Sequence, residues 1–208
     1  MSGVKATPGY RTQWIVVVTT LATLIMIAHA HRPGIEVSPE ARIARRYHAQ
    51  VSDRIAYAHP KSPTELLNLT LEDSQGARHA LSKYHGQVVL LNFWASWYAP
   101  CLKEMPDLEG LAREMDDLPF SLVALSSDDG WESIHKVLGD QKLKMEVYRD
   151  PTSHSVGKAK KQQQRYGTEK LPETYVIDKQ GNIRLRFINV QPWKDTEIRS
   201  YLEWLTQQ

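Results

Sequence analysis

A single cysteine, Cys101, stands in 208 residues, so the chain cannot close a disulfide within itself. That excludes a disulfide-stapled secreted scaffold, and the compartment has to be read from other features. No Cys-x-x-Cys-His run exists to attach a haem, and no glycine-rich loop is spaced to cradle a phosphate. The eight histidines do not fall at zinc-ligand spacing with Cys101, so neither a metal nor a cofactor is expected. An excess of one charge is also lacking. Against 24 Asp and Glu stand 26 Lys and Arg, a net +2, which argues against a dedicated nucleic-acid binder. No internal repeat or low-complexity tract interrupts the chain. What is present is an ordinary globular share of apolar residues, 41%, in a length that suits one domain plus an extra segment.

The extra segment is N-terminal. Lys5 and Arg11 precede Trp14–Ala30, a run without Asp, Glu, Lys or Arg. Its length sits at the lower limit of the ~17–25 residues that span a bilayer. Trp14 suits an interfacial belt position, which favours a single-pass anchor in the cytoplasmic membrane with the rest of the chain outside, in the periplasm or its equivalent. Ala28-His29-Ala30 resembles a small-x-small cleavage site, so secretion after cleavage near Ala30 is the alternative. Arg32, Arg42, Arg45 and Arg46 on the far side of the run leave the positive-inside bias undecided. Residues 31–63 read as a linker. Pro39 is placed to open a helix, and Ile43, Tyr47, Val51 and Ile55 recur every fourth residue as one apolar stripe. This helix is expected as a spacer on the domain or membrane surface, with partner docking as the alternative. Pro60-Lys61-Ser62-Pro63 closes the zone. The chain thus divides into 1–30 (anchor or signal), 31–63 (linker) and 64–208 (domain).

Within the domain, strand and helix patterns alternate. Leu67–Leu71 alternates as a half-buried strand, and Asp73–Gly76 is a turn. Val88–Trp94 is a continuous apolar run, the mark of a strand covered on both faces. A helix follows with Leu102, Met105, Leu108, Leu111, Ala112 and Met115 on one face and Pro106 inside it as an expected kink. Phe120–Leu125 is a second buried strand, Trp131–Leu138 a short helix, and Val147-Tyr148 a minor strand. Ser153–Tyr166 reads as a helix closed by Gly167, with Lys158, Lys160, Lys161 and Arg165 on a solvated face. Glu173–Asp178 and Asn182–Ile188 form a hairpin around Lys179-Gln180-Gly181, and Asp195 caps a last helix. The order predicts an α/β fold: a mixed central sheet flanked by helices, preceded by one N-terminal hydrophobic helix.

Three stretches carry a resemblance: Val89–Trp97, Pro100-Cys101-Leu102-Lys103-Glu104-Met105-Pro106, and Leu171-Pro172-Glu173-Thr174-Tyr175-Val176-Ile177-Asp178-Lys179-Gln180-Gly181. In this order they resemble the membrane-tethered thioredoxin-like proteins of the TlpA and ResA family. That resemblance implies a thioredoxin-like fold, thiol–disulfide exchange with protein thiols outside the cytoplasmic membrane, and a link to cytochrome c maturation or redox homeostasis. The family site reads Trp-Cys-x-x-Cys, whereas this chain reads Trp97-Tyr98-Ala99-Pro100-Cys101. By position, Tyr98 replaces the attacking thiol and Cys101 is the former resolver. Glu104 matches a carboxylate that assists proton transfer, Pro172 matches the cis-proline facing the site, and Leu171 matches the edge that receives substrate peptides.

Exchange needs a thiolate to attack a disulfide and a second thiol to resolve the adduct. A phenol, with a pKa near ~10, forms no reversible bond to sulfur. The dithiol cycle therefore cannot run with Cys101 alone. Pro100 and Tyr98 are expected to shield Cys101 as a small buried hydrophobe. Three readings follow. A degenerate domain binds a protein partner through Trp97, Tyr98, Pro100, Leu171 and Pro172; a one-cysteine oxidoreductase uses Cys101 with Glu104; or a structural subunit docks through the 31–63 helix.

Overall fold

A computed structural model of the chain describes residues 37–51, 69–139, 141–152, 168 and 170–208. In chain order these hold α1 (Pro39–Tyr47), β1 (Gln50–Val51), β2 (Thr70–Glu72), β3 (Arg78–Ala80), a 3-10 turn (Leu81–Tyr84) and β4 (Val88–Trp94). They continue with α2 (Ala99–Glu114), β5 (Phe120–Ser126), α3 (Trp131–Leu138), β6 (Glu146–Arg149), β7 (Glu173–Ile177), β8 (Ile183–Ile188) and α4 (Thr196–Thr206). The strands form one mixed sheet in the order β1-β8-β7-β4-β5-β6-β2-β3. β4, β5 and β6 run parallel, and every other pairing is antiparallel.

All seven residues of β4 are buried, as its unbroken apolar run predicts. Successive side chains point to opposite faces of a strand, so β4 feeds two cores. Val88, Leu90 and Trp94 join Met105, Leu108, Ile198 and Leu202 on one face. Val89, Leu91 and Phe93 join Leu71, Leu81, Tyr84 and Tyr175 on the other. The β7–β8 turn is held by Asp178, whose Oδ1 accepts from the backbone N–H of Gln180 (3.0 Å) and Asn182 (2.8 Å). Gly181 sits there at φ +86°, a conformation that favours glycine. Asp195 caps α4 by accepting from Glu197 N–H at 2.9 Å.

The described part of the segment expected as a spacer on the domain or membrane surface, residues 38–51, packs against this unit. Ser38 Oγ caps α1 by accepting from Ala41 N–H at 3.2 Å, and Pro39 occupies its first turn. Ile43 and Tyr47 are buried in the core, and Glu40 pairs with Arg184 of β8. The apolar period does not continue as helix. His48 turns left-handed at φ 52°, and Val51 pairs with Leu185 as an edge strand on β8. A helix and a two-residue strand place an apolar residue at this spacing equally well, which is why the stripe hid the break. Ile43→Ala is expected to lose about 2–5 kcal/mol of stability, the cost of emptying a core aliphatic site, as read from denaturant unfolding. A free spacer would lose almost nothing.

α2 runs on through Pro106, which is exposed. Its buried face includes Glu104 beside Met105 and Leu108, so that carboxylate is not a solvated residue of the first turns. The hydrophobic run 14–30, Ile55, the 60–63 boundary and the helix expected over 153–166 lie outside the described residues.

Candidate functional site

β4 delivers the chain to a tight turn, Ala95–Tyr98, from which α2 rises. Tyr98 takes the helix-capping position with extended backbone, its side chain making no capping bond. Its carbonyl accepts from Cys101 N–H at 2.9 Å. The turn is braced from β5. Asp128, just beyond that strand, accepts from Ser96 N–H (2.8 Å), Ser96 Oγ (2.7 Å) and Ser126 Oγ (2.5 Å).

The turn separates Tyr98 from Cys101 by exposure. Trp97 is 70% and Tyr98 37% exposed, their rings 5.9 Å apart and tilted by 57°. Cys101, one turn into the helix, is fully buried, and Pro100 is half-buried between them in sequence. The Leu171–Pro172 bond is cis. β7 pairs with β4 from Phe93↔Glu173 onward, so Leu171 and Pro172 lie at the sheet end that carries the Trp97–Tyr98 turn. Pro172 O accepts from Asn189 N–H at 2.9 Å, while Leu171, half-buried, lies beyond the ladder.

Beneath the turn lies a buried polar cluster. Glu104 accepts from Asn92 Nδ2 (2.9 Å) and Trp193 Nε1 (3.0 Å), and Asn92 Nδ2 also donates to Thr174 Oγ1 (2.9 Å). Burial pushes the Glu104 carboxyl up to about 7, against hydrogen bonds from Trp193, Asn92 and the Gln191 backbone that favour the charge. Burial likewise pushes the Cys101 thiol up to about 12. A backbone hydrogen bond with Ala95 opposes that rise, and the charges of Glu104 and Asp128 add to it. A helix N-terminus ordinarily lowers a thiol pKa. Here desolvation wins.

Glu104 supplies a pH signature. Its native value of about 7 exceeds the ordinary 4.5, so between those values the native chain holds a proton that the unfolded chain has released. Stability therefore falls as pH rises from about 4.5 to 7, by up to roughly 3 kcal/mol. In Glu104→Gln that decline is expected to disappear from denaturant midpoints measured across the window. An unchanged slope would place the titration elsewhere.

Sequence reading brought forward Trp97, Tyr98, Pro100, Cys101, Glu104, Leu171 and Pro172 but missed Asn92, Asp128, Thr174 and Trp193. Asn92 carried a usable signal, as the one polar residue in the β4 run. Thr174 lay unremarked inside the Leu171–Gly181 stretch, and nothing local marked Asp128 or Trp193.

The sheet and this helix-capping turn define a thioredoxin-like domain. The family model for AhpC/TSA matches residues 64–186, and the chain belongs to the AhpC/TSA family. Among curated relatives, the thiol-disulfide oxidoreductase ResA of Bacillus thuringiensis (strain Al Hakam) is 29% identical over 142 residues, covering 68% of this chain and 77% of the relative. A solved structure from Chlorobium tepidum, assigned as a thiol:disulfide interchange protein DsbE, superposes with a TM-score of 0.54 at 26% identity, covering 64% of this chain and 92% of its own. The exposed lipoprotein thioredoxin of Streptococcus pneumoniae strain TIGR4 shares the fold, with a TM-score of 0.53 at 24% identity over 65% of this chain and 98% of its own.

Proposed function

We propose that this chain is a degenerate thiol-disulfide oxidoreductase of the ResA and TlpA type, a thioredoxin-like domain tethered outside the cytoplasmic membrane that binds a protein partner. The observation that carries the reading is the inversion at the turn: an exposed Trp97–Tyr98 surface stands where a reactive thiol is needed, and the one thiol, Cys101, is sealed below it. An extended partner segment adds along Leu171, outside the β7–β4 ladder, and lays a side chain on the aromatic pair. The uncharged run 14–30 supports the tether. Among the described residues no helix is long and apolar enough to cross a membrane.

Glu104 supports a second reading, a one-cysteine oxidoreductase using Cys101. With a value of about 7, its carboxyl holds both protonation states near neutral pH, as a group that exchanges protons with a thiol must. One experiment separates the two. The full chain is titrated with reduced, thiol-blocked, unfolded lysozyme while tryptophan fluorescence is followed. Binding that persists in Cys101→Ala and weakens about tenfold or more in Trp97→Ala supports a thiol-independent module. Binding only to the disulfide-bonded form, lost in Cys101→Ala, sinks it in favour of the one-cysteine reading.

A further inference from the structure

The arginines of α1 play no part in the site, and their arrangement is specific. Arg42, Arg45 and Arg46 fall at i, i+3 and i+4, one face of the helix. All three are exposed, while Ile43 and Tyr47 are buried. Arg46 is met by Glu197 at 2.8 Å and Asp195 at 3.7 Å. For the side chains of Arg42 and Arg45 no acidic partner exists among the described residues. The one acid of α1, Glu40, is buried and committed to Arg184. The helix therefore spends its apolar face on the domain and turns a basic face outward.

Position in the chain gives that face a neighbour. The uncharged run ends at Ala30, and α1 is capped at Ser38. Eight residues reach at most about 28 Å even when fully extended. If residues 14–30 enter a bilayer, as the functional reading above has it, α1 cannot leave the vicinity of the headgroups.

We propose that the Arg42–Arg45 face of α1 docks on anionic lipid headgroups and so fixes the orientation of the domain on the membrane. This rests on the anchor reading. Each cation near an anionic surface favours the docked state roughly fivefold, so two unpaired arginines favour it about thirtyfold. The attraction is electrostatic and disappears with screening.

The test uses the full chain in lipid nanodiscs. A fluorophore is placed on a Gln208→Cys variant, at the exposed end of α4, the helix against which α1 packs. Buried Cys101 stays unlabelled, and acceptor dyes sit on the headgroups. Energy transfer is expected to be higher in phosphatidylglycerol discs than in phosphatidylcholine discs. The difference is expected to vanish in about 1 M salt, where the screening length is about 3 Å, and in Arg42→Gln/Arg45→Gln. Equal transfer in the two lipids overturns the proposal and leaves the face to an acidic protein surface. A chain that never enters the discs removes the anchor reading, and the proposal with it.

Discussion

Tyr98→Cys is expected to convert the chain into a catalyst of protein disulfide reduction, while the native chain is expected to show no turnover above background. Everything else that the reaction needs is in place. Position 98 caps α2 with extended backbone, and its side chain is 37% exposed. A thiol there meets the positive end of a helix, which stabilises a thiolate. Cys101 lies three residues on, one helical turn deeper, as a resolving thiol. Glu104 lies buried below, its carboxyl raised to about 7. The expected gain is from no catalysis to measurable turnover in an insulin-reduction assay with a chemical reductant. A silent Tyr98→Cys variant that folds normally would show that the scaffold has lost more than one side chain.

Cys101 in the folded chain is expected to react with an alkylating reagent about a thousandfold more slowly than in the unfolded chain at pH 8. The figure follows from a thiol held at about 12 instead of 9.0, because reaction goes through the thiolate and its population falls tenfold for each pH unit. Complete burial adds a steric barrier, so the measured suppression exceeds that ratio. Modification is expected to follow the unfolding curve when denaturant is varied. Labelling at the same rate with and without denaturant would mean that Cys101 is accessible, and the one-cysteine reading would take precedence.

The parts of the fold legible in the sequence are those whose signals are local. β4 announced itself by an unbroken apolar run, the β7–β8 turn by Lys179-Gln180-Gly181, and α4 by its Asp195 cap. The site turn was legible for the same reason, since Trp97 through Glu104 are consecutive. Its supports were not. Asp128 braces Ser96 from 32 residues away, and Trp193 reaches Glu104 across 89. Spacing of that length carries no periodic signal. β1 escaped notice because two residues are too few to show alternation, and Val51 fitted the helical stripe equally well.

The central claim is that this site binds without exchanging disulfides. The most direct measurement is steady-state reduction of a protein disulfide by the native chain beside Cys101→Ala, under identical reductant. Equal rates, both at the uncatalysed background, are the predicted result. A native rate above that of Cys101→Ala would contradict the account, because it would show that the buried thiol turns over on its own.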